Sequence, residues 1–194
     1  MPPSTRTYVA KVGTILMVLG CLSLTSCAPD EPLSRARPTP SSTPVFASEE
    51  EALDAARATY EGFMSASEEI LSSGGVGAER IDDFLSPALA RLEKDSYAAY
   101  AADGRQFEGQ SSIESVSLQR YTADASGTEP VISLYVCVDF STVDVLDKDG
   151  NSTVLSSRPP RIPFEVEFEQ DMSLPTLLRI SSNTVWAGEG ACDE

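Results

Sequence analysis

Val131-Ile132-Ser133-Leu134-Tyr135-Val136-Cys137-Val138-Asp139-Phe140 is the stretch that decides the fold. Its even positions, Ile132, Leu134, Val136, Val138 and Phe140, are all apolar. Its odd positions, Val131, Ser133, Tyr135, Cys137 and Asp139, are mixed. Side chains alternate across a strand with a period of two, so the pattern predicts a strand with one face turned to a core. Ile162, Phe164, Val166 and Phe168 repeat the pattern, with Glu165 and Glu167 between them. Leaving such faces in water would cost roughly 25 cal/mol per Å² of apolar area, so they must be covered. Asp139, Glu165 and Glu167 are then expected on the opposite face. Val143 to Leu146 is expected to extend the first strand past a kink, and Asp149-Gly150-Asn151 is a turn. Leu177 to Trp186 reads as the last strand, and Ile113 to Tyr121 as an irregular earlier one. Strands joined in sequence by turns make an antiparallel meander.

Helices precede the strands. Ser48 and Glu51 form a capping box, with acids at 49–51 suited to a helix N-terminus. Leu53, Ala56, Tyr60, Phe63, Ser67 and Ile70 recur at helical spacing. Gly62 weakens that helix slightly, and Ser72-Ser73-Gly74-Gly75 ends it. A short helix is expected over 78–85. Ser86-Pro87 starts another, with Leu89, Leu92 and Tyr100 on its buried side and Asp103-Gly104 at its end. Helices before a run of strands predict an α+β fold, with N-terminal helices packed on a curved antiparallel sheet.

The chain starts as an address. Residues 1–11 carry Arg6 and Lys11 and no acid, and Val12 to Leu24 is mostly apolar. That run reads as a secretory signal and is shorter than the ~20 apolar residues of a membrane span. Leu24-Thr25-Ser26-Cys27 then resembles a bacterial lipobox. The resemblance implies cleavage before Cys27, with a diacylglycerol on its sulfur holding the chain at the extracytoplasmic face of the cell membrane. The alternative is a plain secretory signal with an incidental cysteine. Ala28 to Thr43 contains Pro29, Pro32, Pro38 and Pro40 among serines, threonines and charges, the composition of an extended tether. The expected division is 1–26 signal, 27–47 lipidated cysteine and tether, and 48–194 folded domain.

The 194 residues include 14 Lys+Arg, 30 Asp+Glu and no His, for a formal charge of −16. Without histidine there is no Ser-His-Asp or Cys-His catalysis and no histidine-ligated metal. The charge argues against nucleic acid as a partner. With Cys21 in the signal and Cys27 lipidated, Cys137 and Cys192 remain. An even pair in an exported domain reads as a disulfide, two free buried thiols being the alternative.

Further short motifs carry a family resemblance. They are Tyr60, Phe107-Glu108-Gly109, Val136-Cys137-Val138-Asp139, Asp147-Lys148-Asp149-Gly150, and Val185-Trp186-Ala187-Gly188 with Cys192. With the helices-first order they resemble the small NTF2-like (cystatin-like fold) lipoproteins of actinobacteria, over about residues 48–194. The resemblance implies a cone-shaped α+β domain of no assigned role, with a homodimer through the outer sheet face as one assembly. The superfamily holds isomerases, cyclases, dehydratases and non-catalytic domains, so fold alone does not name an activity.

The chemical candidates are few. Asp147-Lys148-Asp149-Gly150-Asn151 has a calcium-loop flavour, but setting Gly150 at the sixth position puts Val145 first and Ser156 twelfth, and both fail. It reads as a hairpin turn. No phosphate-binding loop is present; Gly74-Gly75-Val76-Gly77 lacks the lysine and the preceding strand. Enzymes of the NTF2-like fold place a carboxylate in the cone, often beside a tyrosine. Asp139, Glu165, Glu167, Tyr60 and Tyr100 are the residues to weigh for that role. Strand parity turns the three acids away, leaving no catalytic residue, metal or cofactor assigned. The expected function is a membrane-tethered, non-catalytic module binding an unknown protein or small molecule. The alternative is a cone-pocket enzyme or small-ligand carrier.

Overall fold

A computed structural model describes residues 45–123, 131–171, 174, 177–188 and 190–192, all within the unit Pro40–Glu194. The signal, Cys27 and the tether through residue 44 lie outside the described residues. The fold class is α+β, with helices packed on an antiparallel sheet.

Helix α1 spans Glu49–Ser72. Ser48 is its N-cap, extended at φ −152°, and its hydroxyl accepts the Glu51 N–H at 3.1 Å. The Glu51 carboxylate reaches one residue further back than expected, accepting from the Ala47 N–H at 2.8 Å. Ala52, Ala56, Tyr60, Phe63, Ser67 and Ile70 form the buried stripe. The packed body extends upstream of Ser48. Phe46 is buried, its ring stands edge-on to Tyr121 at 6.4 Å, and its carbonyl accepts the Tyr121 hydroxyl at 3.1 Å.

Gly62 has a packing role that helix propensity hides. A Cβ there would overlap Cε1 of Phe84, so the Phe84 ring packs closely against bare backbone. Gly62→Ala is therefore expected to destabilise the protein. Overpacking of about 1–3 kcal/mol should exceed the ~1 kcal/mol gained in helix propensity. Urea denaturation checks this, and the loss should shrink in a Phe84→Leu background. A rise in stability would show that the ring simply swings aside.

A 3₁₀ helix, Ala78–Asp83, leads into α2, Pro87–Ala102. Ser86 caps α2, accepting the Leu89 N–H at 3.3 Å, and Pro87 occupies the first turn. The buried side of α2 differs from expectation. Ala90 and Tyr97 are buried, Leu89 and Tyr100 are half-buried, and Leu92 is 61% exposed. The helix lies on one alanine and one tyrosine, with Leu89 partly covered, and this rolls Leu92 outward.

The strands are β1 (Gln106–Glu108), β2 (Ser112–Tyr121), β3 (Ile132–Asp139), β4 (Asp144–Leu146), β5 (Arg161–Gln170) and β6 (Leu178–Val185). The main sheet is antiparallel in the order β2-β3-β5-β6. Strand β4 does not continue β3 as expected; it pairs with β1 in a separate two-stranded sheet. The chain must turn at Ser141, whose N–H and hydroxyl both bind the Asp139 carboxylate. Gly109 is needed beside this corner. Its φ is +90°, and a Cβ would run into the Thr142 carbonyl.

Register explains which residues face the helices. Ile132, Leu134, Val136 and Val138 stand opposite Phe168, Val166, Phe164 and Ile162, as alternation predicts. Strand β2 reads irregularly because it carries two bulges, between Ile113 and Ser115 and between Leu118 and Arg120. They bring Ile113, Val116, Leu118 and Tyr121 to the inner face, opposite Val138, Val136, Leu134 and Ile132. A third irregularity, at Glu167/Phe168, offsets β6 so that Ile180 faces Phe168 while Asn183 faces Val166. At the far side of the sheet Ile180 donates its N–H to Phe84 and accepts that of Ser86, both across the segment entering α2.

The outer face is partly covered as well. Ser133 and Cys137 are buried there. The Arg120 guanidinium bridges the Ser133 hydroxyl at 3.1 Å and the Glu167 carboxylate at 3.3 Å. After β6, the Trp186 ring packs on Tyr135 with centroids 4.7 Å apart. Cys192 is joined to Cys137 by a disulfide, with Cα atoms 5.2 Å apart. The Ala191 carbonyl accepts the Ser115 hydroxyl at 3.2 Å. The segment after β6 is thus strapped across the outer face.

Candidate functional site

Between α1, α2 and the inner sheet face lies a cavity of about 210 Å³. Helix α1 supplies one wall. Tyr60, Met64, Ser67 and Leu71 follow one another at steps of four and three, and Phe63 and Glu68 flank them. Helix α2 adds Glu93 and Tyr97, one turn apart. Phe140 and Phe164 close the sheet side, their rings edge-on at 6.3 Å. Phe107 comes from β1, Ser111 from the loop after it, and Asn183 from β6.

The polar groups in this apolar wall fall into two sets. Some are satisfied. The Ser67 and Tyr97 hydroxyls share a hydrogen bond of 2.8 Å. The Glu68 carboxylate accepts the Ser111 N–H at 2.8 Å and the Ser111 hydroxyl as well. Others are not. Tyr60 is 1% exposed, and its hydroxyl oxygen lacks a hydrogen-bond partner, as does Asn183 Oδ1. Glu93 has no hydrogen-bond or ion-pair partner among the described residues. Leaving buried oxygens such as those of Tyr60 and Asn183 unpaired costs on the order of 1–3 kcal/mol each.

Burial governs the titration of these groups. It raises Tyr60 well above the ordinary phenol value, with the neighbouring Asn183 amide opposing. It raises Glu93 above the ordinary carboxyl value. Burial also raises Tyr97; its bond to Ser67 opposes this, and the Glu93 charge adds to it. Ser67 therefore has a neutral phenol for a partner, which cannot take its proton at neutral pH.

Of the residues weighed from the sequence, Tyr60 lines the cavity. Tyr100 is half-buried and lies outside the lining, its own hydroxyl oxygen buried without a partner. Glu165 and Glu167 pair across the outer-face rows with Tyr135 and Ser133, and Asp139 binds Ser141. Parity placed those acids correctly, yet it says nothing of helices, and α1 and α2 bring Glu68 and Glu93 to the cavity. The four-residue step from Glu93 to Tyr97 was a visible signal for the second of these. Asn183 was hidden, because strict alternation from Ile180 would put it on the outer face.

Asp147 serves the turn it was assigned to. Its carboxylate accepts N–H groups from Asn151 at 2.9 Å and Asp149 at 2.8 Å. The Asn151 backbone N–H contributes most to holding that carboxyl below its ordinary value. Among the described residues no group of three or more His, Cys, Asp or Glu side chains is placed to hold a metal ion, and no helix is long and apolar enough to cross a membrane.

No family model matches the chain, and no curated protein sequence matches it. Among solved structures, the intermembrane space region of the chloroplast protein ARC6 aligns with a TM-score of 0.50 at 13% identity, over 70% of this chain and 97% of that one. At that identity the likeness concerns the fold alone. The solution structure of a de novo designed β-sheet protein aligns over 75% of this chain and 95% of its own at 16% identity, with a TM-score of 0.31.

Proposed function

We propose that this chain is a lipoprotein, held at the extracytoplasmic face of a cell membrane through Cys27, whose folded part is a non-catalytic binding module of the NTF2-like type. The observation that carries the binding role is the cavity under α1 and α2, with Tyr60 and Asn183 unpaired in its wall. A largely apolar concave space with a few polar groups is the usual form of a small-molecule site. The tether would carry this site clear of the membrane. The charge of −16 favours cationic partners over nucleic acid. A homodimer through the outer face would have to include the strap of residues 186–192.

The second reading is a cone-pocket enzyme. Glu93 favours it, because a carboxyl raised by burial is a better base near neutral pH. Against it, Ser67 is not activated and Glu68 is occupied by Ser111. The anchor is tested by metabolic labelling with a fatty-acid probe. Wild type should be labelled and membrane-bound, and Cys27→Ala should be unlabelled and released or misrouted. An unlabelled wild type would overturn the lipoprotein reading.

A further inference from the structure

We propose that the cavity between α1, α2 and the sheet is a site for a small organic ammonium ion. This rests on the binding-module reading and names its ligand class. Charge is the first argument. The wall carries Glu68 and Glu93 and no lysine or arginine. Glu68 is satisfied by Ser111, but Glu93 is half-buried with no partner among the described residues. A carboxylate drawn out of water is costly unless it is paired, and a bound cation would supply the missing charge.

The rings are the second argument. Tyr60, Phe63, Tyr97, Phe107, Phe140 and Phe164 all contribute to the wall. The faces of such rings attract alkylammonium groups, and their bodies accommodate the methyl or methylene groups attached to the nitrogen. The third argument is independent of charge. Tyr60, 1% exposed, and Asn183 each hold an oxygen without a hydrogen-bond partner in this otherwise greasy space. A ligand hydroxyl or N–H beside the cationic centre would meet that need. A wholly apolar ligand would leave Glu93 and Asn183 unpaired, and an anion would face two carboxylates. The volume of about 210 Å³ suits a molecule of a few heavy atoms; a cavity of ~150 Å³ is enough for benzene.

The test is isothermal titration of the full chain, purified in a maltoside detergent, with two probes of equal shape. One is choline. The other is 3,3-dimethylbutan-1-ol, in which carbon replaces the charged nitrogen. Choline should bind about tenfold more tightly than the alcohol. Glu93→Gln should abolish that preference while leaving the alcohol's affinity unchanged. Equal binding of the two probes by wild type would overturn the ammonium assignment and leave the binding-module reading standing. Choline binding that is indifferent to Glu93→Gln would overturn it too. Failure of both probes to bind at about 10 mM, weaker than the weakest useful small-ligand affinities, would remove both readings of the cavity.

Discussion

Replacing Cys192 with serine is expected to lower the unfolding free energy by about 4 kcal/mol. The disulfide to Cys137 closes a loop with a sequence separation of 55, and chain-entropy arithmetic for that length gives ~4 kcal/mol. It is anchored at one of the most protected points of the sheet, since Cys137 is 1% exposed between two core positions of β3. Without it, the strap loses its covalent tie to β3 and is left with non-covalent contacts, among them the Trp186 ring on Tyr135, the Trp186 N–H bond to the Pro163 carbonyl at 2.8 Å and the Ser115 bond to the Ala191 carbonyl. Urea denaturation measures the first effect. Limited proteolysis measures the second, with cleavage after Trp186 preceding cleavage of the sheet. A stability loss under about 1 kcal/mol would mean that the strap holds without its cross-link.

Phe168→Ala is expected to cost about 3–5 kcal/mol, as large-to-small changes of buried aromatics do. Phe168 is fully buried in the row between Ile132 and Ile180, where three strands meet under α1. The backbone around it is fixed as well, because its carbonyl accepts the Val131 N–H at 2.8 Å. The surrounding strands therefore cannot collapse into the hole. Typical domains have only about 5–15 kcal/mol in hand, so this variant should melt far below wild type. Phe168→Leu, which keeps most of the volume, should cost under about 1.5 kcal/mol. Thermal unfolding of both variants checks the pair; equal losses would point to something other than cavity formation.

The two strands that carry most of the core were legible because alternation survives in them unbroken. Ile132 through Val138 and Ile162 through Phe168 face each other residue by residue. Helix α1 was legible for the same kind of reason, a stripe with a clear cap at Ser48. Reading failed where one extra residue resets the count. The bulges in β2 scatter its apolar positions, and the offset in β6 turns Asn183 inward. It also failed where small residues do the packing. Ala90 is buried and Leu92 is not, so the larger apolar residue misreports the face. The cavity was invisible from strand patterns alone, since its carboxylates sit on helices and Phe107 belongs to a strand of three residues.

The bonds that Ile180 makes to Phe84 and Ser86 have a consequence for neighbouring molecules. A sheet normally offers two rims of unpaired backbone groups on which another chain can polymerise. Here the β6 rim is already taken near its start, at Ile180, by the chain's own path into α2. The β2 rim is broken by two bulges and carries Glu114 and Arg120, both of which discourage regular strand addition. Molecules anchored by lipid to one surface, as we propose for this chain, would meet at high local concentration, where fibre growth is most favoured. With both rims blunted, this domain can be displayed densely without growing a common sheet.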